Sequence, residues 1–184
     1  MKKVLVIQTT LNENGNTNKI ARYAYEQLMK EKELQVEYLD LKESEIELCN
    51  GNKLEDYTKQ TQDLYKYIQD FDAYILASPV YNHAISGVCK NFLDIHLEAM
   101  SNKYLGLIEN AGGIHSQRKP YFKLKESVEY FKVKLLEFCP CSNPKSFKGD
   151  ELVDDLVKSE FEKQKEELLK LLKVHTLENP IEDN

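Results

Sequence analysis

The chain has 184 residues, of which 41% are hydrophobic and 30% are charged, and its formal net charge at pH 7 is −6. This composition is typical of a soluble globular protein with enough chain to bury a core. No apolar run reaches the roughly 20 residues of a membrane span, and no basic stripe offsets the negative charge, which argues against a nucleic-acid-binding surface. We therefore predict a protein with neither a membrane nor a nucleic-acid partner.

The chain reads as one domain over residues 1–176, followed by a disordered acidic tail over residues 177–184. No internal repeat or linker interrupts it. The lysines at positions 2 and 3 precede an apolar run that is too short for a signal peptide, so a buried first strand and a cytoplasmic location are expected.

Four cysteines, at positions 49, 89, 139 and 141, are too few and too scattered for a disulfide scaffold. Cys139 and Cys141 are separated by one proline. This spacing lacks the two intervening residues of a thioredoxin motif or a zinc knuckle, so it favours a buried strand over a redox or metal role.

Residues 3–9 (KVLVIQT) form a continuous apolar run, which predicts a strand buried on both faces of a parallel sheet. Residues 10–17 (TLNENGNT) form a polar loop with one glycine. The next apolar residues have helical spacing, and Asn16 or Thr17 is expected to be the N-cap of that helix. The first thirty residues thus predict a strand, a loop and a helix.

The second strand is expected at residues 34–41, followed by an irregular surface segment over residues 42–60. A helix over residues 60–69 then leads to a short apolar strand at residues 73–77. Residues 78–83 (SPVYNH) form a polar break, after which helical spacing continues from residue 85 to residue 97.

The fourth strand is expected at residues 104–109, and a loop with paired glycines follows at residues 110–115. Residues 121–135 predict a helix. Two prolines within residues 138–147 confine any fifth strand there to an edge, and the closing helix is expected over residues 151–174.

This alternation of strands and helices predicts an α/β fold with a parallel sheet and helices on both faces. Five strands favour the flavodoxin-like doubly wound order 2-1-3-4-5. In that order the loops after strands one, three and four share one edge of the sheet. The first loop has the small hydroxyls, amides and glycine of a phosphate site at a helix N-terminus, although it is neither a GxGxxG motif nor a P-loop.

Residues 78–94 (SPVYNHAISGVCKNFLD) closely resemble the signature of the NAD(P)H-dependent FMN reductase family, in which P-x-Y-N precedes small apolar residues and G-x-x-K-N-x-x-D. The resemblance implies a flavodoxin-like fold that binds FMN non-covalently. It also implies NADPH or NADH as the electron donor, a small acceptor such as a quinone, azo compound, metal oxyanion or free flavin, and a homodimer or homotetramer that uses the helix after the P-x-Y-N loop.

The resemblance also assigns cofactor-binding residues in three groups. The phosphate would be held by Thr10, Asn12, Asn16 and Thr17, the isoalloxazine would pack along Pro79, Val80, Tyr81, Asn82 and His83, and the far side would be closed by Asn110, Ala111, Gly112 and Gly113. Two departures stand out, because the usual glycine-serine start is Thr9-Thr10 and the usual phosphate-loop arginine is Asn12.

Hydride transfer to a flavin needs stacking geometry rather than a side-chain acid or base, so no catalytic residue and no metal ligand is predicted. His83 is expected to contribute its backbone rather than a proton, and His96 and Cys89 are expected to pack in the core or at an interface. His115 either reaches the flavin or is solvated. Tyr81 is the side chain most expected to touch a ligand.

The leading hypothesis is therefore an FMN-dependent NAD(P)H oxidoreductase. Two alternatives stay open, a non-enzymatic flavodoxin-like electron carrier and a degenerate member whose phosphate loop holds flavin weakly.

Overall fold

A computed structural model describes residues 1–113 and 116–173. The strands of the main sheet, in chain order, are β1 (Lys2–Gln8), β2 (Leu34–Asp40), β3 (Ala73–Tyr81), β4 (Ala84–Ile85), β5 (Tyr104–Asn110), β6 (Lys134–Leu135) and β7 (Cys141–Ser142). The helices are α1 (Asn16–Leu28), α2 (Lys59–Gln69), α3 (Gly87–His96), α4 (Lys119–Tyr130) and α5 (Asp155–Leu172). A separate hairpin consists of β8 (Phe147–Lys148) and β9 (Glu151–Leu152).

The main sheet has the order β2-β1-β3-β5-β6, and these strands are parallel. β7 also pairs in parallel with β5, further along the same edge, so β6 and β7 together take the fifth place in the sheet. The predicted flavodoxin-like order 2-1-3-4-5 is confirmed.

Alternating side chains of the central strands bury themselves in two apolar cores, one on each face of the sheet. Leu5 and Leu76 face the core that α2, α3 and α4 cover. Val6 and Ile75 face the core that α1 and α5 cover. Because both faces are covered, the strands read as continuous apolar runs.

The fifth strand differs from its prediction, which was a single edge strand over residues 138–147. Pairing with β5 occurs at β7, inside that range, and also at β6, because the helix expected over residues 121–135 ends at Tyr130. The chain between β6 and β7 leaves the regular ladder. Pro140 cannot donate a backbone hydrogen bond, and the carbonyl of Phe138 accepts from the side chain of Gln164 on α5 at 2.5 Å. Phe147 belongs to the separate hairpin.

Three helix boundaries also differ. The N-cap of α1 is Gly15, so the prediction of Asn16 or Thr17 at that position is wrong. Helix α5 begins after residue 154 because Asp154 caps it by accepting from the backbone N–H groups of Leu156 and Val157 at 3.2 and 3.3 Å. Helix α3 begins at Gly87, where the Ser86 side chain accepts from the backbone N–H of Cys89 at 3.1 Å. The expected tail and His115 lie outside the described residues.

His96 is buried in the core between α2 and α3, with 4% of its surface exposed. Its ring stacks on Phe92 with a centroid distance of 4.8 Å, and its Nδ1 donates to the Phe92 carbonyl at 3.0 Å. Burial lowers the pKa of His96, and the carbonyl groups of Phe92 and Thr61 offset part of that effect. Cys89, predicted to be a core or interface residue, is fully buried in the same core, where burial raises the pKa of its thiol to about 12.

The lowered pKa of His96 predicts a loss of stability in mild acid. Below the unfolded-state pKa of about 6.5, the unfolded chain takes up a proton that the folded chain resists, so the free energy of unfolding falls as pH decreases, by at most about 1.4 kcal/mol per pH unit. Urea unfolding of wild type and His96→Gln between pH 5 and pH 8 gives the free energy of unfolding of each as a function of pH. The difference between the two profiles measures the contribution of His96. Parallel profiles would contradict it.

Candidate functional site

The carboxyl ends of β1, β3 and β5 meet at one edge of the sheet, as the sequence predicted. The loops that follow them enclose a cleft of about 250 Å³. It is lined by Thr10, Asn12, Asn14, Gly15, Asn16, Thr17, Pro79, Val80, Tyr81, Asn110 and Gly112. Ligands of open α/β sheets bind at this position.

The first loop presents the N-terminus of α1 to the cleft. Its N-cap, Gly15, has no side chain with which to satisfy the amides of the first helical turn. A Cβ at this residue would lie 3.0 Å from the Asn12 carbonyl oxygen and 3.1 Å from Thr10 Oγ1, so glycine permits the close turn of the loop. The backbone N–H of Asn12 donates to Thr10 Oγ1 at 3.1 Å. This arrangement is a helix N-terminus open to an anion.

The second loop is a tight hairpin rather than the polar break predicted after residue 77. Strand β3 continues to Tyr81 and folds back as β4, with Tyr81 opposite Ala84. The two turn residues, Asn82 and His83, have φ angles of 51° and 61°, the left-handed values that a two-residue hairpin requires. Both are exposed.

Pro79, Val80 and Tyr81 line the cleft, and 55% of the Tyr81 side chain is exposed. Asn82 and His83 form the turn beside it and are not among its lining residues. The expectation that His83 acts through its backbone stays a prediction, as do the ligand contacts of this loop.

The third loop contributes Asn110 and Gly112 to the cleft. The Asn110 side chain is oriented by Ser142 on β7, whose Oγ donates to Asn110 Oδ1 at 2.9 Å. Ala111 is buried beneath the loop, and Gly113 is exposed outside the lining. The structure therefore brings most of the predicted residues together and leaves Asn82, His83, Ala111 and Gly113 at the margin.

The described residues that line the cleft carry no charged side chain. Asn12, where the resemblance led us to expect an arginine, is exposed, and its Oδ1 accepts from the backbone N–H of Asn14 at 3.1 Å. The nearest charged side chain in the loop itself, Glu13, is paired with Lys42 at 3.1 Å. Attraction for an anion therefore depends on the helix N-terminus and on neutral donors.

Sequence reasoning missed three buried polar residues that lie beneath the cleft, namely Gln8, Ser78 and Glu109. Each stands near the carboxyl end of an otherwise apolar strand and is at most 1% exposed. Gln8 pairs with Ala77 across β1 and β3, and Ser78 pairs with Glu109 across β3 and β5. The sequence signal that could have identified them is a polar residue at the carboxyl end of an otherwise apolar strand. We call these three residues the strand-end row.

Gln8 holds the first loop through both groups of its amide. Its Oε1 accepts from the backbone N–H of Thr10, and its Nε2 donates to the Thr10 carbonyl at 2.9 Å and to Asp40 Oδ1 at 2.7 Å. Ser78 acts similarly under the second loop, because its Oγ accepts from the backbone N–H of Ser86 at 3.1 Å and donates to the Pro79 carbonyl at 3.0 Å.

A second, larger groove of about 360 Å³ lies between α3 and α4. Its apolar lining includes Ile85, Leu93, Leu97, Leu124 and Phe131, with Lys90, Asp94 and Lys123 also lining it. We call it the α3–α4 groove. It adjoins the cleft through the hairpin, because Ala84 and Ile85 of β4 line the groove while Tyr81 of β3 lines the cleft.

Two further structural findings bear on the site. The described residues contain no cluster of histidine, cysteine or acidic side chains suited to a metal ion. None of the helices in the described part of the chain has the length and apolar character that a membrane crossing needs. Cys139 and Cys141 are buried, and burial raises the pKa of both thiols.

The sequence model of the family described as NADPH-dependent FMN reductase matches residues 2–137. The chain belongs to this family. The resemblance drawn from residues 78–94 is thereby confirmed, and the predicted pairing of FMN with a nicotinamide donor agrees with the family's description.

Curated relatives include an NAD(P)H-dependent FAD/FMN reductase of Geobacillus thermodenitrificans, 30% identical over 48% of this chain and 51% of the relative. An FMN-dependent NADPH-azoreductase of Staphylococcus saprophyticus is 31% identical over 62% of this chain and 63% of the relative. The chain thus spans about half to two thirds of the length of these members of the reductase family.

An oxidoreductase from Corynebacterium diphtheriae has a similar fold, with a TM-score of 0.74 at 18% identity, covering 96% of this chain and 99% of that one. This similarity confirms the fold class.

The hydrogen bonds of Gln8 predict a measurable cost for their removal. Gln8→Met leaves the Thr10 backbone groups without their buried partner, and we expect the free energy of unfolding to fall by about 1–3 kcal/mol, with faster amide exchange in residues 9–17. Gln35→Met, at an exposed position of β2, is the control and should change stability by less than about 0.5 kcal/mol. Equal effects of the two substitutions would contradict the assignment.

Proposed function

We propose that this protein is an FMN-dependent NAD(P)H oxidoreductase that delivers electrons to a small organic acceptor such as a quinone, an azo compound or a free flavin. The observation that carries the proposal is the convergence of the three loops on one cleft, in a chain that belongs to the FMN reductase family. The chemistry supplied by FMN when bound is acceptance of a hydride from the nicotinamide and its transfer, as electrons, to the acceptor.

The first loop fits the phosphate of FMN by its donor chemistry. Thr10, Asn12, Asn16 and Thr17 are the proposed binding residues. The uncapped N-terminus of α1 adds backbone N–H donors and the positive end of the helix dipole. The absence of a Cβ at Gly15 allows the loop to close tightly behind the anion.

The second and third loops fit a planar ring. Pro79, Val80 and Tyr81 continue a rigid strand into the cleft. Asn110 at the end of β5 and Gly112 in the loop after it also line the cleft. A flat heterocycle placed between these walls would have backbone groups along its edges, while the exposed Tyr81 ring would leave one side accessible to a nicotinamide or an acceptor. These residues position the reactants, and no side-chain acid or base is required.

The α3–α4 groove supports a homodimer as the active form. Its lining is mostly apolar and is formed by α3, α4 and β4. A second copy of the chain seated there would bury this surface and lie next to the hairpin of the cleft. We expect light scattering to show a dimer for the wild-type protein. Replacement of Leu97 by aspartate should dissociate this dimer.

A second candidate function is suggested by the neutral cleft. Without a cationic side chain in the first loop, a flavin phosphate loses a charge-assisted contact of roughly 1.5–3 kcal/mol. The protein would then be a member of the family that holds flavin weakly and takes FMN from solution as needed.

Flavin titration and turnover distinguish these possibilities. Quenching of FMN fluorescence on adding protein measures binding, and oxidation of NADPH or NADH in the presence of FMN, with a quinone or an azo dye, measures activity. Binding with turnover supports the oxidoreductase. Binding without nicotinamide oxidation identifies an electron carrier instead. If saturating FMN gives no binding and no turnover, the proposal is refuted.

Substitution of Asn12 tests the phosphate loop directly. Asn12→Arg supplies the missing cation to a dianionic phosphate, so we expect FMN to bind roughly 10- to 100-fold more tightly at low salt, with a new salt dependence. Riboflavin, which lacks the phosphate, and Asn12→Gln, which adds length without charge, are the controls. A similar gain for riboflavin would show that Asn12 does not face the phosphate.

A further inference from the structure

Glu109, the acidic member of the strand-end row, is fully buried at the carboxyl end of β5. One carboxylate oxygen accepts from the backbone N–H of Arg118 at 2.7 Å, and the other accepts from the backbone N–H of Tyr121 at 3.0 Å. The third loop leaves the sheet directly after Glu109, and the chain enters α4 at these two amides. The side chain therefore joins the two ends of the loop.

The backbone of Glu109 is itself firmly held. Its N–H donates to the Pro140 carbonyl at 2.9 Å, and it stands opposite Ser78 in the ladder with β3. Strand β5 is paired on both sides, with β3 on one and with β6 and β7 on the other. The carboxylate thus connects α4 to a rigid element rather than to another loop.

The start of α4 depends on this carboxylate. The N-cap residue, Arg118, has a left-handed φ of 60° and makes no side-chain capping bond. Glu109 accepts instead from the backbone N–H of Arg118 itself and from that of Tyr121 in the first turn, and a negative charge at a helix N-terminus is stabilising.

A role in packing alone does not account for a carboxyl group here. An apolar residue would avoid the cost of burying a charge. Burial raises the pKa of Glu109, and the amides of Arg118 and Tyr121 and the thiols of Cys141 and Cys139 offset part of that rise. Cys141 Sγ lies 3.6 Å from the carboxylate. These amides and thiols are all hydrogen-bond donors directed at the carboxylate. Such an arrangement is expected where the protein needs the negative charge itself.

We propose that Glu109 is a positioning residue of the cofactor cleft: by tying the start of α4 to the end of β5, it fixes the third wall, Asn110 and Gly112, at the distance a bound flavin requires. This inference rests on the proposed FMN site. Glu109 is not among the residues that line the cleft, and it acts through the loop that it holds.

The test compares Glu109→Gln with Gln164→Met in the full-length protein. Glutamine has the shape of glutamate but retains only one acceptor oxygen, so it folds while giving up one of the two backbone contacts. Gln164 on α5 donates to the carbonyl groups of Leu107 at 3.0 Å and Phe138 at 2.5 Å. Its replacement removes one hydrogen bond to β5, at Leu107, and one to the segment between β6 and β7, at Phe138, and neither acceptor belongs to the third loop.

Two readouts are taken well below the unfolding temperature of each variant. Amide exchange in residues 110–113 and 116–121, measured without flavin, should increase at least roughly tenfold in Glu109→Gln and remain unchanged in Gln164→Met. FMN titration should show binding roughly tenfold weaker in Glu109→Gln only. Glu109→Asp, which is too short to reach both amides, should behave like Glu109→Gln rather than rescue binding.

The two readouts separate this inference from the proposed function. If wild type binds no FMN, the proposed function fails, while increased exchange in Glu109→Gln alone would still support the tie between β5 and α4. Wild-type FMN affinity in Glu109→Gln would overturn the positioning role, because the cleft would then not depend on this side chain. An equal loss of affinity in Gln164→Met would also overturn it, because the loss would then reflect lowered stability of the protein as a whole.

Discussion

The cleft depends on one constraint, which is that the backbone of each surrounding loop must find hydrogen-bond partners where the sheet ends. In a parallel sheet the ladder stops at the carboxyl ends of the strands, and buried backbone groups without partners are costly. Gln8, Ser78 and Glu109 provide those partners from within the sheet. The loops are thereby positioned by rigid strands, which is how a binding site attains a defined shape before a ligand arrives.

The buried polar residues of the strand-end row lie beneath the cleft, and the described residues that line the cleft have no charged side chain. The charge of Glu109 faces α4, and Lys42 is paired with Glu13 away from the lining residues. The positive end of α1 is then the principal attraction for a phosphate, and a helix N-terminus contributes less than a bidentate arginine would. In the proposed flavin site, shape and backbone donors rather than charge would therefore determine how tightly a flavin binds.

Much of the fold could be predicted because the apolar runs of β1, β3 and β5 and the spacing of α1 and α3 are strong local signals. The motif in residues 78–94 added the family. Other features depend on tertiary contacts that no local pattern reveals. The interruption of the fifth strand reflects Gln164, which reaches across from α5, and the turn at Asn82 and His83 adopts left-handed angles without a glycine. Glu109 was missed because its partners are backbone amides nine and twelve residues further along the chain.

The hairpin of β3 and β4 links the two cavities of the molecule. Tyr81 lines the cleft, and its ladder partner Ala84 lines the α3–α4 groove. The two strands of this hairpin are expected to move together. Neither can shift alone without breaking the hydrogen bonds between them or changing the left-handed angles of the turn. A second copy seated in the groove would therefore contact the same hairpin whose β3 residues line the cleft. Dimerisation and flavin binding would then stabilise one hairpin conformation, and each would strengthen the other.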